Sequence, residues 1–210
     1  MAYCTWDIQE NGYSAYHDEE WGRPLHDDKG QFEFLSLEVF QCGLSWGLVM
    51  KKRDILRSAF SGFDYDKVAQ FGEEDVQRIM ALSGMIKAEK KIRAVITNAR
   101  CFIKVREEKG SFSDYLWSYT KGKTIIYNKH PEGWIPASNA LSERISKDLK
   151  ARGFKFLGPV VMYSHLQAAG LINDHDGRCA TGQYINEHYP TVHKRREGEK
   201  NIAYYGDTDA

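Results

Sequence analysis

At 210 residues, with 42% apolar and 28% charged side chains, the chain has the composition of a globular domain with a real hydrophobic core, which excludes disordered, collagen-like and fibrous classes. No window holds the roughly 18 consecutive apolar residues of a membrane span, and the N-terminal residues lack a basic start followed by an apolar stretch, so the expectation is a cytoplasmic protein with no membrane partner. The 29 Lys and Arg balance 29 Asp and Glu, so net charge neither announces nor excludes nucleic acid, and the placement of the basic residues decides.

Apolar residues recur at threes and fours while alternating runs are almost absent, which predicts an all-α fold of seven or eight helices. Asp28 with Gln31 resembles a capping box opening a helix whose inner face carries Phe32, Leu35, Val39 and Phe40. Asp64 precedes a second helical stretch, and Ile92, Val95, Ile96 and Ala99 mark the buried face of another. Residues 121–137 hold two prolines and two glycines and read as a long loop with one short extended piece. Ser138 is expected to open the helix of Leu141, Ile145 and Leu149, after which Gly153 and Gly158 form a tight link to a second apolar helix from about Pro159 to Ala169. Beyond Cys179 the periodicity decays, so residues 1–180 are expected to form the domain and 181–210 a mobile tail with a solvated basic run, His193 to Arg196.

Four cysteines, Cys4, Cys42, Cys101 and Cys179, are too few and scattered for a disulfide framework. Cys4 and His17 near one end, with His175 and Cys179 near the other, make a complete tetrahedral donor set for zinc. His175 and Cys179 are one helical turn apart, while Cys4 and His17 need a folded loop to converge. The same four residues also read as two plain thiols and two surface imidazoles. The glycine link is similarly open. Its free backbone N–H groups and helix dipole, flanked by Lys147, Lys150, Arg152 and Lys155, suit a phosphate, and they equally suit a plain helix–helix connection.

The phrases AYHDEEWG (15–22), LEVFQCGLSW (37–46), KKR (51–53), GMIKAEKKIRAVITNAR (84–100), SKDLKARGFKFLG (146–158) and GLINDH (170–175), together with Cys4 and Trp6, occur in one collinear order. In them the chain resembles the DNA-3-methyladenine glycosylase I family of the helix-hairpin-helix glycosylase superfamily, over roughly residues 3–179. The resemblance implies a monofunctional enzyme that flips 3-methyladenine out of alkylated double-stranded DNA, releases the free base and leaves an abasic site. It implies one structural zinc on Cys4, His17, His175 and Cys179, joining the two ends of a monomeric domain. It places Glu38 as the catalytic carboxylate, with Tyr16 and Trp46 forming the base pocket and Trp21 and Trp6 near its walls.

A methylated adenine is cationic, so aromatic faces and a carboxylate suit it. Gly153, Lys155 and Gly158 would hold a DNA phosphate. Gly43 and Leu44, in the turn between Glu38 and Trp46, would approach the duplex, Leu44 as the wedge that fills the hole left by the flipped base or else as core. Lys51, Lys52, Arg53, Lys87, Lys90, Lys91 and Arg93 are candidates for a basic rim. Asp174 lies where relatives in the superfamily place a catalytic aspartate, but beside a zinc ligand its part reads as structural. No lysine stands out for Schiff-base chemistry. Glu38 with Tyr16 and Trp46 argues against a non-catalytic, zinc-stapled DNA-binding module, and four protein ligands argue against a zinc hydrolase.

Overall fold

The computed structural model describes Cys4 and residues 14–127 and 135–194. Among these the chain is mostly helical: α1 Ser14–Glu19, α2 Asp28–Gln41, α3 Trp46–Lys51, α4 Arg53–Ala59, α5 Tyr65–Val68, α6 Glu73–Ala81, α7 Glu89–Lys109, α8 Phe112–Ser118, α9 Ala140–Ala151, α10 Pro159–Ala168 and α11 Ala180–His188. That is more helices than periodicity predicts, because α1, α3, α4, α5 and α8 are seven residues or shorter and show no full apolar repeat. No helix among the described residues is long and apolar enough to cross a membrane.

The helix α2 runs through the middle. Phe32, Leu35, Leu37, Val39 and Phe40 are fully buried on several of its sides, so it is a core helix rather than an amphipathic surface one. The expected faces of α7 (Ile92, Val95, Ile96, Ala99) and α9 (Ile145, Leu149) point inward as read from the sequence. A chain of rings, Phe60, Phe63, Phe32, Phe102 and Phe112, ties α2, α7 and α8 to the turn that follows α4, with Phe102 and Phe112 stacked at 4.1 Å.

The structure corrects two helix starts. Asp27, not Asp28, caps α2, its Oδ1 accepting from the Gly30 N–H at 2.7 Å. The Asp28 carboxylate instead accepts from Ser111 Oγ and from the N–H groups of Phe112 and Ser113, so it caps α8 across the fold. Asn139 rather than Ser138 opens α9, in a reciprocal capping pair with Ser142. Asp64 caps α5 as read, accepting from the Lys67 N–H.

The all-α expectation also needs amending. The short extended piece in the loop is β1, Thr124–Tyr127, and it pairs in parallel with β2, Thr191–Lys194, in the register Thr124↔Thr191 to Tyr127↔Lys194. Residues 181–194 therefore contain ordered structure, α11 and β2, and are not the mobile tail expected. Two four-residue strands so far apart carry no sequence signal of their own, because parallel pairing is set by where the intervening helices deliver the ends. His193 and Lys194 of the basic run are exposed as anticipated, and Arg195 and Arg196 lie outside the described residues.

Candidate active site and metal centre

The central helix α2 delivers Glu38 to the interior. The residue is only 4% exposed, and no described residue donates a hydrogen bond to its carboxyl group. Burial alone pushes its pKa up to about 8. Two rings lie nearby. Tyr16 on α1 is buried, and its phenol is held well above the ordinary range, first by burial and then by the Glu38 charge. Trp46, the first residue of α3, is half-buried with its ring centroid 5.2 Å from that of Tyr16. Its Nε1–H is buried without a partner. A carboxyl and an indole N–H, both desolvated and unpaired, are costly unless a ligand completes them.

The link from Glu38 to Trp46 is short. After Cys42 the chain turns at Gly43, whose φ of +75° suits glycine, and Ser45 caps α3 by accepting from the Leu48 N–H at 3.2 Å. Gly43 is exposed, and Leu44 is half-buried and is not part of the packed core.

The second cluster joins the two ends of the domain. Sulfur and imidazole nitrogen atoms of Cys4, His17, His175 and Cys179 all lie within 4.8 Å of one another. Each imidazole has one nitrogen fixed by a neighbour: His17 Nδ1 meets Asp18 Oδ1 at 2.7 Å, and His175 Nδ1 meets Asn173 Oδ1 at 2.8 Å. That leaves His17 Nε2 facing Cys179 Sγ at 3.6 Å and His175 Nε2 buried with no protein partner. Oriented histidines with the opposite nitrogen turned inward are how a metal's ligands are set. Burial lowers the His175 pKa to about 4, keeping the ring neutral and its lone pair available. The hydrogen bond between the sulfurs pulls Cys179 toward thiolate and pushes Cys4 up. Two thiols and two inward imidazole nitrogens fit a tetrahedral zinc.

The remaining sequence-derived residues divide. Trp21 packs against the Cys and His cluster, its ring centroid 4.4 Å from that of His175 and 6.1 Å from that of His17. Trp6 lies outside the described residues. Asp174, also 4% exposed, accepts at one oxygen from Tyr163 Oη at 2.6 Å and from Gln167 Nε2 at 2.9 Å.

Between α9 and α10 the chain makes the expected hairpin, with Gly153 at φ +97°. Lys155 is exposed, and Gly158 begins α10 with Pro159 at the first helical position and no side-chain cap. The first main-chain bond of α10 runs from Met162 N–H to Gly158 O, so the N–H groups of Val160 and Val161 have no partner within the helix.

Of the rim candidates, Lys51, Lys87 and Lys90 are exposed and Lys52 half-buried. Three others are engaged in the protein. Arg53 is buried and clamps both carboxylate oxygens of Glu20 and one of Glu33 at 2.7 Å. Arg93 pairs with Glu73 and Glu89. Lys91 turns its ammonium onto the main chain at the end of α2.

The model of the methyladenine glycosylase family matches residues 6–182. The chain belongs to the methyladenine glycosylase family. DNA-3-methyladenine glycosylase 1 of Escherichia coli (strain K12) is 43% identical to it over 179 residues, 85% of this chain and 96% of that one. Among solved structures, a variant of 3-methyladenine DNA glycosylase I in complex with 3-methyladenine matches with a TM-score of 0.82 at 38% identity, covering 87% of this chain and 98% of the other. The 3-methyladenine DNA glycosylase I of Staphylococcus aureus matches with a TM-score of 0.81 at 38% identity, covering 86% and 96%.

For this methyladenine glycosylase family member, sequence reasoning missed the groups that hold the site residues in place. Phe34 packs edge-on to Tyr16, centroids 6.3 Å apart. Arg53, Glu20 and Glu33 brace α1, α2 and α4 behind it. Asn98 binds the hairpin with both ends of its amide, to Lys155 N–H at 2.7 Å and Lys155 O at 3.0 Å, and Ser146 Oγ donates to Leu157 O. Asn98 was legible as a polar residue on the apolar face of α7, which needs a partner once buried. The others carried no comparable signal.

Proposed function

We propose that this chain is a monofunctional DNA-3-methyladenine glycosylase, which flips the alkylated nucleotide out of duplex DNA and hydrolyses its glycosidic bond. The observation that carries this reading is Glu38, a buried carboxyl with no donor among the described residues, beside the rings of Tyr16 and Trp46. Such a pocket favours a flat cation with an amino edge. The rings attract the charge by their faces, and Glu38 accepts from the amino group and gains a counter-ion as it ionises. Neutral adenine brings no charge to offset the cost of a buried carboxylate, so it is rejected.

In the reaction the C1′–N9 electron pair leaves with the base, which departs neutral because it carried the positive charge. Water adds to C1′ and gives up a proton, leaving an abasic site. Little acid assistance is required, so the chain's task is to unstack, desolvate and hold the base. Gly43 and Leu44 are assigned to the approach to the duplex, Leu44 filling the gap. We assign α9, the hairpin and α10 to the helix-hairpin-helix class, with Gly153, Lys155 and Gly158 at a DNA phosphate.

Cys4, His17, His175 and Cys179 are assigned to one zinc ion, which when bound supplies a four-ligand tie between the N-terminal segment and the α10–α11 region. With its four positions taken by protein, the tie is structural. The function is tested by incubating randomly methylated DNA with the protein and separating released bases by chromatography. Free 3-methyladenine with an unbroken, abasic strand is expected, and intact methylated DNA would refute the reading.

A further inference from the structure

We infer that Lys91 is a positioning residue of the base pocket, whose ammonium pins the main-chain turn that sets Glu38 and Trp46 relative to each other. The inference rests on the glycosylase reading above. Lys91 lies in the first turn of α7, half-buried, and its Nζ donates to Phe40 O at 2.7 Å and to Cys42 O at 2.5 Å. These acceptors are at the C-terminal end of α2, where carbonyls have no helical partner and the helix dipole is negative. The last turn of α2 holds no basic side chain of its own. The cation that complements it comes from a helix 49 and 51 residues further along.

The placement matters because of what the turn connects. Glu38 lies within the last turn of α2, Trp46 opens α3, and Cys42 to Ser45 are all that lies between α2 and α3. On its outer side the turn is exposed, and a side chain built at Gly43 would meet nothing within 4 Å. Its other ties are local: Leu44 N–H to Gln41 O at 2.7 Å and a long contact of 3.7 Å from Cys42 Sγ to Glu38 O. Lys91 is thus the described side chain from outside the α2–α3 segment that hydrogen-bonds to the turn's main chain. Charge-assisted bonds from a half-buried ammonium are the stronger kind. Burial lowers its pKa, as expected of an amine that has exchanged water for carbonyls. Its ammonium is engaged by main-chain carbonyls, which distinguishes Lys91 from the exposed Lys87 and Lys90.

The test is Lys91→Met in the full chain, with the exposed Lys104→Met on the same helix as control. Three quantities are read: the single-turnover rate of 3-methyladenine release at saturating enzyme, the affinity for free 3-methyladenine by tryptophan fluorescence, and the slope of DNA affinity against salt. A displaced turn should lower the rate by about tenfold to a hundredfold and weaken free-base binding by about tenfold, with the salt slope unchanged and Lys104→Met like wild type throughout. A Lys91 that contacted phosphate would reduce the salt slope by about 1 and leave free-base affinity intact. One with only a stabilising role would lower the melting temperature and leave rate and base affinity per folded molecule unchanged. Either result overturns the inference. Should Lys91→Met not fold, Lys91→Gln, which keeps one neutral donor, is read in the same way, and wild-type base affinity in it is equally fatal. Wild-type protein that releases no 3-methyladenine would instead sink the glycosylase reading, so the two failures are told apart by the wild-type sample.

Discussion

Glu38 on α2 and Asp174 beyond α10 are both carboxyls only 4% exposed, and their surroundings differ in kind. Around Asp174 the fold supplies Tyr163 and Gln167 as donors, so the carboxyl group has hydrogen-bond partners inside the protein. Around Glu38 it supplies apolar surface and two rings, and no donor among the described residues. Burial with partners indicates a group whose task is to hold the fold together, and burial without them indicates one whose partner arrives from outside. The Cys4, His17, His175 and Cys179 cluster combines the two. Asp18 and Asn173 orient its imidazoles, and the uncompleted His175 Nε2 faces the other three donors.

The largest effect expected from this contrast is at the metal cluster. If its donors complete one another through zinc, the purified protein holds about one zinc per chain, and chelation or Cys179→Ser lowers stability by several kcal/mol, on the order of what a structural zinc contributes to a small fold. Elemental analysis with thermal melts checks this, and a Cys179→Ser protein that melts like wild type would contradict it.

The next effect is a pH-dependent cost at Glu38. Below pH about 4.5 its carboxyl is protonated in both folded and unfolded chains, and nothing depends on it. Between there and about 8 the unfolded chain has released the proton that the folded chain retains, so rising pH favours unfolding, and above about 8 the penalty levels off. Glu38→Gln removes the penalty. Its stability advantage over wild type should open above pH 4.5 and reach at most about 5 kcal/mol above pH 8. Denaturant titrations from pH 4 to 9 measure the gap, and a difference that does not vary with pH would refute the desolvation account.

Asp174 should behave in the opposite way, and by less. Asp174→Ala removes the acceptor of Tyr163 Oη and Gln167 Nε2 in the interior and should destabilise by about 3 kcal/mol. Below its melting transition the variant should excise at the wild-type rate. A rate loss beyond the folded fraction would move Asp174 from structure to chemistry.

Part of this contrast was legible in the sequence and part was not. The long helices and the α9–α10 hairpin with its Pro159 start are written in local signals: apolar spacing, glycines and proline at a first turn, whereas the Cys and His set read equally as plain thiols and surface imidazoles until the family resemblance was added. What escaped was set by contacts distant in sequence. Asp28 looked like the cap of its own helix and serves α8, because both uses need the same short acidic side chain. Arg53 and Lys91 looked like rim cations, since a basic residue's charge says nothing about which way its long stem turns. The β1–β2 pair depended on where α11 returns the chain. The solitude of Glu38, on which the functional reading turns, is a statement about neighbours and was available from sequence only through family resemblance.

The most direct measurement of the account is therefore single-turnover release of 3-methyladenine by wild type, Glu38→Gln and Glu38→Ala, read beside tryptophan fluorescence titrations with free 3-methyladenine and adenine. A charge-assisted hydrogen bond of roughly 1.5–3 kcal/mol predicts about a ten- to hundredfold loss of excision in both variants, with residual activity because the methylated nucleotide is intrinsically labile. Free 3-methyladenine has lost the charge but keeps the altered hydrogen-bond edge that suits Glu38, so wild type should also bind it more tightly than adenine. Excision by Glu38→Ala at the wild-type rate, or equal affinity of the wild-type pocket for the two bases, would contradict it.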